Sequence, residues 1–242
     1  MKLMTVVLLG LFAVACGGGG GSSAPLEVTE TEKAAAKTTV DSVRQLDTLK
    51  SDKGSDQAMS GLGQVYSSSA QLVAKKQQAE LGTGNPYALS PDYEQIASAL
   101  SQDCYTVNGD TVTYNNCNYG GGGSNFTING TITTSGDTVT IDLTMVGDYS
   151  GQAWDYTWSG TVTVTATSID GNLSFALKMN AQGMDIIYDV SIDFNAIVLD
   201  ASGCAIGGGM VIDSSTETGG YGGYDTSVEV TFGPACGDVA MF

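Results

Sequence analysis

The 242-residue chain carries 26 acidic against 9 basic side chains, 33 glycines and no histidine. Without imidazole, the commonest general base, the usual zinc ligand and every histidine-dependent triad are excluded. A net charge of −17 repels phosphate backbones, so no nucleic acid is expected as a partner.

At the start of the chain, Lys2 leads into the apolar run Leu3 to Ala15. That run is too short to cross ~30 Å of hydrocarbon as a stable helix and predicts a signal peptide over residues 1–15. The small or slim residues Ala13, Val14 and Ala15 precede Cys16, and five glycines with Ser22 and Ser23 follow it. These sixteen or so residues resemble the lipobox of bacterial lipoproteins, with Ala13 at the position where leucine is usual. The resemblance implies cleavage before Cys16, addition to its sulfur of a diacylglyceryl group with palmitate-type chains, and attachment to a membrane of the bacterial cell envelope. Gly17 in place of Asp after the cysteine implies the outer membrane. Residues 16–30 then read as the lipidated cysteine and a flexible tether, and about 227 of the 242 residues remain for the exported body.

Residues 31–103 read as a helical segment. Thr29 with Glu32 matches a capping box, and Val40, Val43, Leu46 and Leu49 recur at helical spacing, which predicts an amphipathic helix over residues 31–50. A Ser/Asp/Gly cluster at residues 51–56 ends it. A second helix is expected over about residues 57–81, with Met59, Leu62, Tyr66 and Val73 on one side. Ser90, Pro91 and the stripe Tyr93, Ile96, Ala97, Leu100 predict a third.

From Cys104 the apolar period changes from 3.6 to 2, so residues 104–242 read as an antiparallel β domain. Alternation places Val139, Ile141, Leu143 and Met145 on one face, as it does Val162, Val164 and Ala166, and Leu173, Phe175, Leu177 and Met179. The longest run aligns Met184, Ile186, Tyr188, Val190, Ile192, Phe194, Ala196 and Val198, with Asp185, Asp189 and Asp193 opposite. Turn signals fall at Asn108-Gly109, Ser135-Gly136-Asp137, Asp170-Gly171-Asn172 and Asp200 to Gly203. Eight or nine strands joined this closely form a meander, because parallel strands need longer crossovers. The expected fold is α+β: N-terminal amphipathic helices packed on a long-stranded, curved antiparallel β-meander, half-barrel or barrel-like. Its architecture looks like that of the half-open β-barrels of lipoprotein and lipid carriers.

The four cysteines beyond Cys16, namely Cys104, Cys117, Cys204 and Cys236, are an even set able to pair in an oxidising compartment. Local pairing, Cys104 with Cys117 and Cys204 with Cys236, is preferred. A two-residue turn at Asn108-Gly109 would offset the first pair by four positions, so its register stays open.

Trp154, Tyr156 and Trp158 share a strand face, suited to stacking on sugar rings or holding a lipid chain, or simply to a core that continues through Val162 and Val164. Tyr119, Tyr221 and Tyr224 sit in glycine-rich loops able to present rings to a partner. Asp185, Asp189 and Asp193 are spaced four residues apart, ~13 Å at strand rise, so one strand cannot supply the carboxylate pair of a glycosidase, which needs ~5–9.5 Å. Lys178 beside Ser174 has nothing to orient it as a nucleophile's base. No catalytic residue, metal ligand or resident cofactor is expected. The acidic surplus favours Ca²⁺ only weakly, since no segment matches the twelve-residue calcium loop.

The leading expectation is a non-enzymatic, lipid-anchored envelope protein binding a hydrophobic ligand in a cavity bordered by Met145, Trp158, Phe175, Met179 and Phe194. The alternatives are an adhesive or glycan-binding surface module, an envelope carboxylate hydrolase with acids on adjacent strands, and an outer-membrane β-barrel. Phe242 resembles the last residue of outer-membrane barrels, but Asp238 breaks the alternation expected of one.

Overall fold

The structure, a computed structural model, describes residues 25–50, 56–81, 104–121, 124–149, 152–181, 184–219 and 222–242. Cys16, the tether before residue 25, the third expected helix and Tyr221 lie outside the described residues.

Helix α1 spans Glu30–Gln45 and continues as a 3₁₀ turn, Leu46–Lys50. Thr29 is its N-cap and the capping box with Glu32 is complete: the Thr29 amide donates to the Glu32 carboxylate at 2.8 Å. Burial pushes the Glu32 carboxyl up, but hydrogen bonds from Thr29 and the nearby Lys75 ammonium prevail and hold it below 4.5. The expected stripe is buried, with Val40, Val43, Leu46 and Leu49 at most 2 % exposed. Helix α2, Asp56–Leu81, lies antiparallel to α1 through a polar seam: Thr39 to Ser68 at 2.7 Å, Ser42 to Gln64 at 3.0 Å, and Glu32 to Lys75 at 3.7 Å.

The strands are β1 Tyr105–Asn108, β2 Thr111–Gly121, β3 Ser124–Ser135, β4 Thr138–Tyr149, β5 Gln152–Val164, β6 Ser168–Ala181, β7 Met184–Leu199, β8 Ala205–Thr218, β9 Gly222–Phe232 and β10 Val239–Met241. They form one antiparallel sheet in sequence order, ten strands rather than eight or nine, and the sheet is not closed. Alternation follows from the pleat: the apolar parity of β2 to β9 is buried together with the helices' inner stripes in one hydrophobic cluster. At the last strand the Leu26 amide donates to the Met241 carbonyl at 2.9 Å, so the chain enters the body beside the sheet's C-terminal edge.

Tyr119 and Tyr224, expected in loops, lie within β2 and β9, and three further expectations are corrected. Asp170-Gly171-Asn172 is not a turn but the interior of β6; the chain reverses at residues 165–167 instead, and Ala166 is exposed there. Gly171, at φ +123°, marks a bulge facing β7, which is the other meaning of glycine inside a strand pattern. In β7, Ala196 and Val198 turn outward and Ile197 and Leu199 are buried. A bulge with Ala196 at φ +46°, its amide held by the Asp170 carboxylate at 3.1 Å, reverses the parity. Finally, Met184 is 41 % exposed at the end of the run.

Both disulfides join the preferred pairs, with Cα separations of 5.4 Å for Cys104–Cys117 and 5.6 Å for Cys204–Cys236. The open register of the first pair is resolved by a bulge. Asn108 faces Thr111 across a tight turn, and an extra residue in β2 between Tyr114 and Cys117 shifts the register. Asn116 adopts φ +51° there and donates its amide to the Asn129 side chain at 2.7 Å. Cys117 thereby turns inward, to where Cys104 can reach it.

Candidate ligand-binding face

The register sorts the buried side of the sheet into rows that run across the strands. Nearest the end carrying the glycine-rich connections lies Phe126–Gly147–Trp154–Met179–Ile186. One step in is Ile128–Met145–Tyr156–Leu177–Tyr188–Thr216, followed by Leu143–Trp158–Phe175–Val190–Ser214–Thr226.

Burial differs sharply between these rows. Met145, Tyr156, Trp158 and Phe175 are at most 1 % exposed, and Phe194, two rows further in, is 2 % exposed. Trp154, Met179 and Ile186 in the outermost row are only half-buried. Gly147, between Phe126 and Trp154, contributes no side chain to the row. The Trp154 ring rests tilted on Phe126 at 5.9 Å and edge-on to Tyr156 at 5.8 Å. Of the three aromatic residues predicted to form a platform, two are therefore core, and only Trp154 keeps an accessible surface.

Tyr66 of α2 covers the second row. Its ring stands edge-on to Phe175 at 5.5 Å and to Tyr156 and Tyr188 at 6.3 Å each. Tyr66 was legible as a stripe residue, but its role as the cover over three strands was not. The stripe at 62, 66, 69, 73 and 76 puts Ser69 and Lys76 on the same buried side. Gln77 reaches β9, where its amide donates to the Thr226 hydroxyl at 3.1 Å. Burial raises the Tyr188 phenol, and the neighbouring Ser214 opposes the shift.

The described cavities are lined by other side chains than the five predicted. The largest, about 530 Å³, lies between α1 and the Cys204–Cys236 bridge, with Lys33, Lys37, Val40, Ala205 and Phe232 around it. Both lysines are already engaged, Lys33 with Glu30 at 2.8 Å and Lys37 with Asp41. A hollow of about 400 Å³ on the polar face of β7–β9 holds Asp189, Asp213 and Asp225 among serines. Asp189 faces Ser215, which faces Asp225, and Asp213 occupies the diagonal position. Burial chiefly, and the Glu217 charge secondarily, raise the Asp189 carboxyl. Asp185 accepts from Asn180 at 2.9 Å, and Asp193 is exposed. Among the described residues no three Cys, Asp or Glu side chains are grouped to hold a metal ion, and no helix is long and apolar enough to cross a membrane.

No family model matches the chain, and neither a curated protein nor a solved structure matches it.

Proposed function

We propose that this is a lipid-anchored, non-enzymatic protein of the bacterial envelope, held at the outer membrane through Cys16. In this reading its sheet curves around an apolar interior and holds a hydrophobic ligand, an acyl chain, at the half-buried row of Trp154, Met179 and Ile186. The observation that carries it is the contrast between that row and the fully covered rows behind it. Two accessible apolar side chains following an indole along one row form a surface on which a chain gains hydrophobic contact without first unpacking the core.

Curvature is supported by glycines. Gly130, Gly160 and Gly171, in β3, β5 and β6, have φ of +122°, +138° and +123°. A Cβ at any of them would overlap backbone of the neighbouring strand. Glycine kinks and bulges are the devices by which sheets bend. Two bridged cysteine pairs suit an oxidising compartment outside the cytosol.

The chain has two tryptophans, which makes the proposal testable by quenching with a dibrominated fatty acid. Trp158→Phe leaves Trp154 as the sole emitter and is expected to quench saturably. Trp154→Phe leaves the buried Trp158 and is expected to quench weakly. Equal quenching of both, or of neither, refutes the site. The anchor is tested separately by the mass of the mature N-terminal peptide, which must carry acyl chains on Cys16.

A further inference from the structure

The interface between α2 and the sheet changes character from one side to the other. Over β5–β7 it is aromatic, around Tyr66. Toward β8 and β9 it becomes polar: Ser214, Thr216 and Thr226 turn inward and are 3–7 % exposed. The buried stripe of α2 answers with Ser69 at 0 %, Gln77 at 5 % and Lys76 at 7 %. Lysine is almost never this buried without a counter-charge. The ion pair described for Lys76 is with Glu80, one helical turn on, at 3.3 Å, and the Glu80 side chain is 50 % exposed. Ser69, two turns before Lys76 on the same side, has a buried hydroxyl with no hydrogen-bond partner. A buried hydroxyl left unpaired is costly, and a polar lane in a folded interior normally finds its partners within the protein. Here the Ser69 hydroxyl has none, and the Lys76 ammonium relies on a carboxylate at the solvent boundary.

We infer that this lane, Ser69, Lys76 and Gln77 against Thr216 and Thr226, receives the anionic head of a single-chain amphiphile. Its hydrocarbon tail would lie along the accessible row at Trp154. The inference rests on the ligand-binding reading above and adds the chemistry of the head. A carboxylate or phosphate oxygen there replaces Glu80 as the partner of Lys76 and accepts from the Ser69 hydroxyl. Lysine stems commonly pack on apolar surface with the head reaching water. That arrangement accounts for Lys76 alone, but not for the orphaned Ser69 hydroxyl.

The test compares hexadecanoic acid, hexadecyl phosphate and hexadecan-1-ol as competitors of a fluorescent apolar probe on the purified full chain. Loss of one charge-assisted hydrogen bond corresponds to about tenfold or more in affinity, so at least one anionic ligand should bind about tenfold tighter than the alcohol. Whichever anion is favoured distinguishes a carboxylate from a phosphate head. Lys76→Gln is expected to abolish the preference while leaving alcohol binding unchanged, and Lys76→Arg to retain it. Near-ultraviolet circular dichroism verifies that each variant is folded. Should Lys76→Gln not fold, Ser69→Ala, which removes only a hydroxyl, is expected to weaken anion binding selectively. Equal binding of acid, phosphate and alcohol, or a preference that survives Lys76→Gln, overturns the head-group site while leaving the hydrophobic site standing. Binding of none of them overturns both.

Discussion

Replacing Tyr66 by alanine is expected to unlock the helix from the sheet. The ring is 2 % exposed and edge-on to three others at 5.5–6.3 Å. Truncating a buried aromatic side chain to alanine costs about 3–5 kcal/mol, because the transfer energy is lost and the surrounding atoms cannot fully collapse into the void. Within that figure, each edge-on pair contributes about 0.5–1.5 kcal/mol beyond buried area. Tyr66→Leu, which keeps apolar bulk but no ring, should therefore lose about 1–3 kcal/mol. Equilibrium urea unfolding measures both, and the slope of the transition should be unchanged. A double-mutant cycle of Tyr66→Leu with Phe175→Leu isolates the closest pair and should give a coupling of about 0.5–1.5 kcal/mol. A cost for Tyr66→Ala within about 0.5 kcal/mol of wild type, as at surface positions, would refute the placement of α2 over the second row.

The glycine kinks can be tested by contrast. Gly160→Ala, at φ +138° against the Asn172 carbonyl, should cost at least about 3 kcal/mol. Gly136→Ala, at φ +59° in an open turn with nothing within 4 Å, should cost about 1–2 kcal/mol; thermal unfolding ranks the two, and equal effects would contradict the kink. For Asp189 the sign is fixed by its raised carboxyl. Holding the charge costs stability above the folded-state pKa, and protonation relieves that cost as the pH falls through it. Asp189→Asn should thus stabilise the protein at neutral pH, with the gain fading in acid. Glu32 acts in the opposite sense: its lowered carboxyl contributes stability that is lost as the pH falls below 4.5. Denaturant unfolding of wild type and Asp189→Asn across the acidic range checks both signs.

The amino-acid sequence by itself determined what depends on neighbours along the chain. Thr29 and Glu32 cap a helix because both partners of the box lie within one turn. Residues such as Val139, Ile141, Leu143 and Met145 declare a strand and its buried face because the pleat has a period of two. Close spacing of the runs dictated an antiparallel meander, and an even count of cysteines permitted two bridges. Tertiary structure alone decided what depends on distant partners. Gly171 reads the same as a turn or as a bulge, and only the facing strand β7 chooses. The reversal at Ala196 needs the Asp170 carboxylate, 26 residues away, and Cys117 meets Cys104 only because a bulge held by Asn129 adds a residue to β2. The candidate site is of this second kind. Trp154, Tyr156 and Trp158 are equivalent by alternation, and what separates the accessible ring from the buried two is what packs over each row, as Tyr66 of a remote helix does over Tyr156.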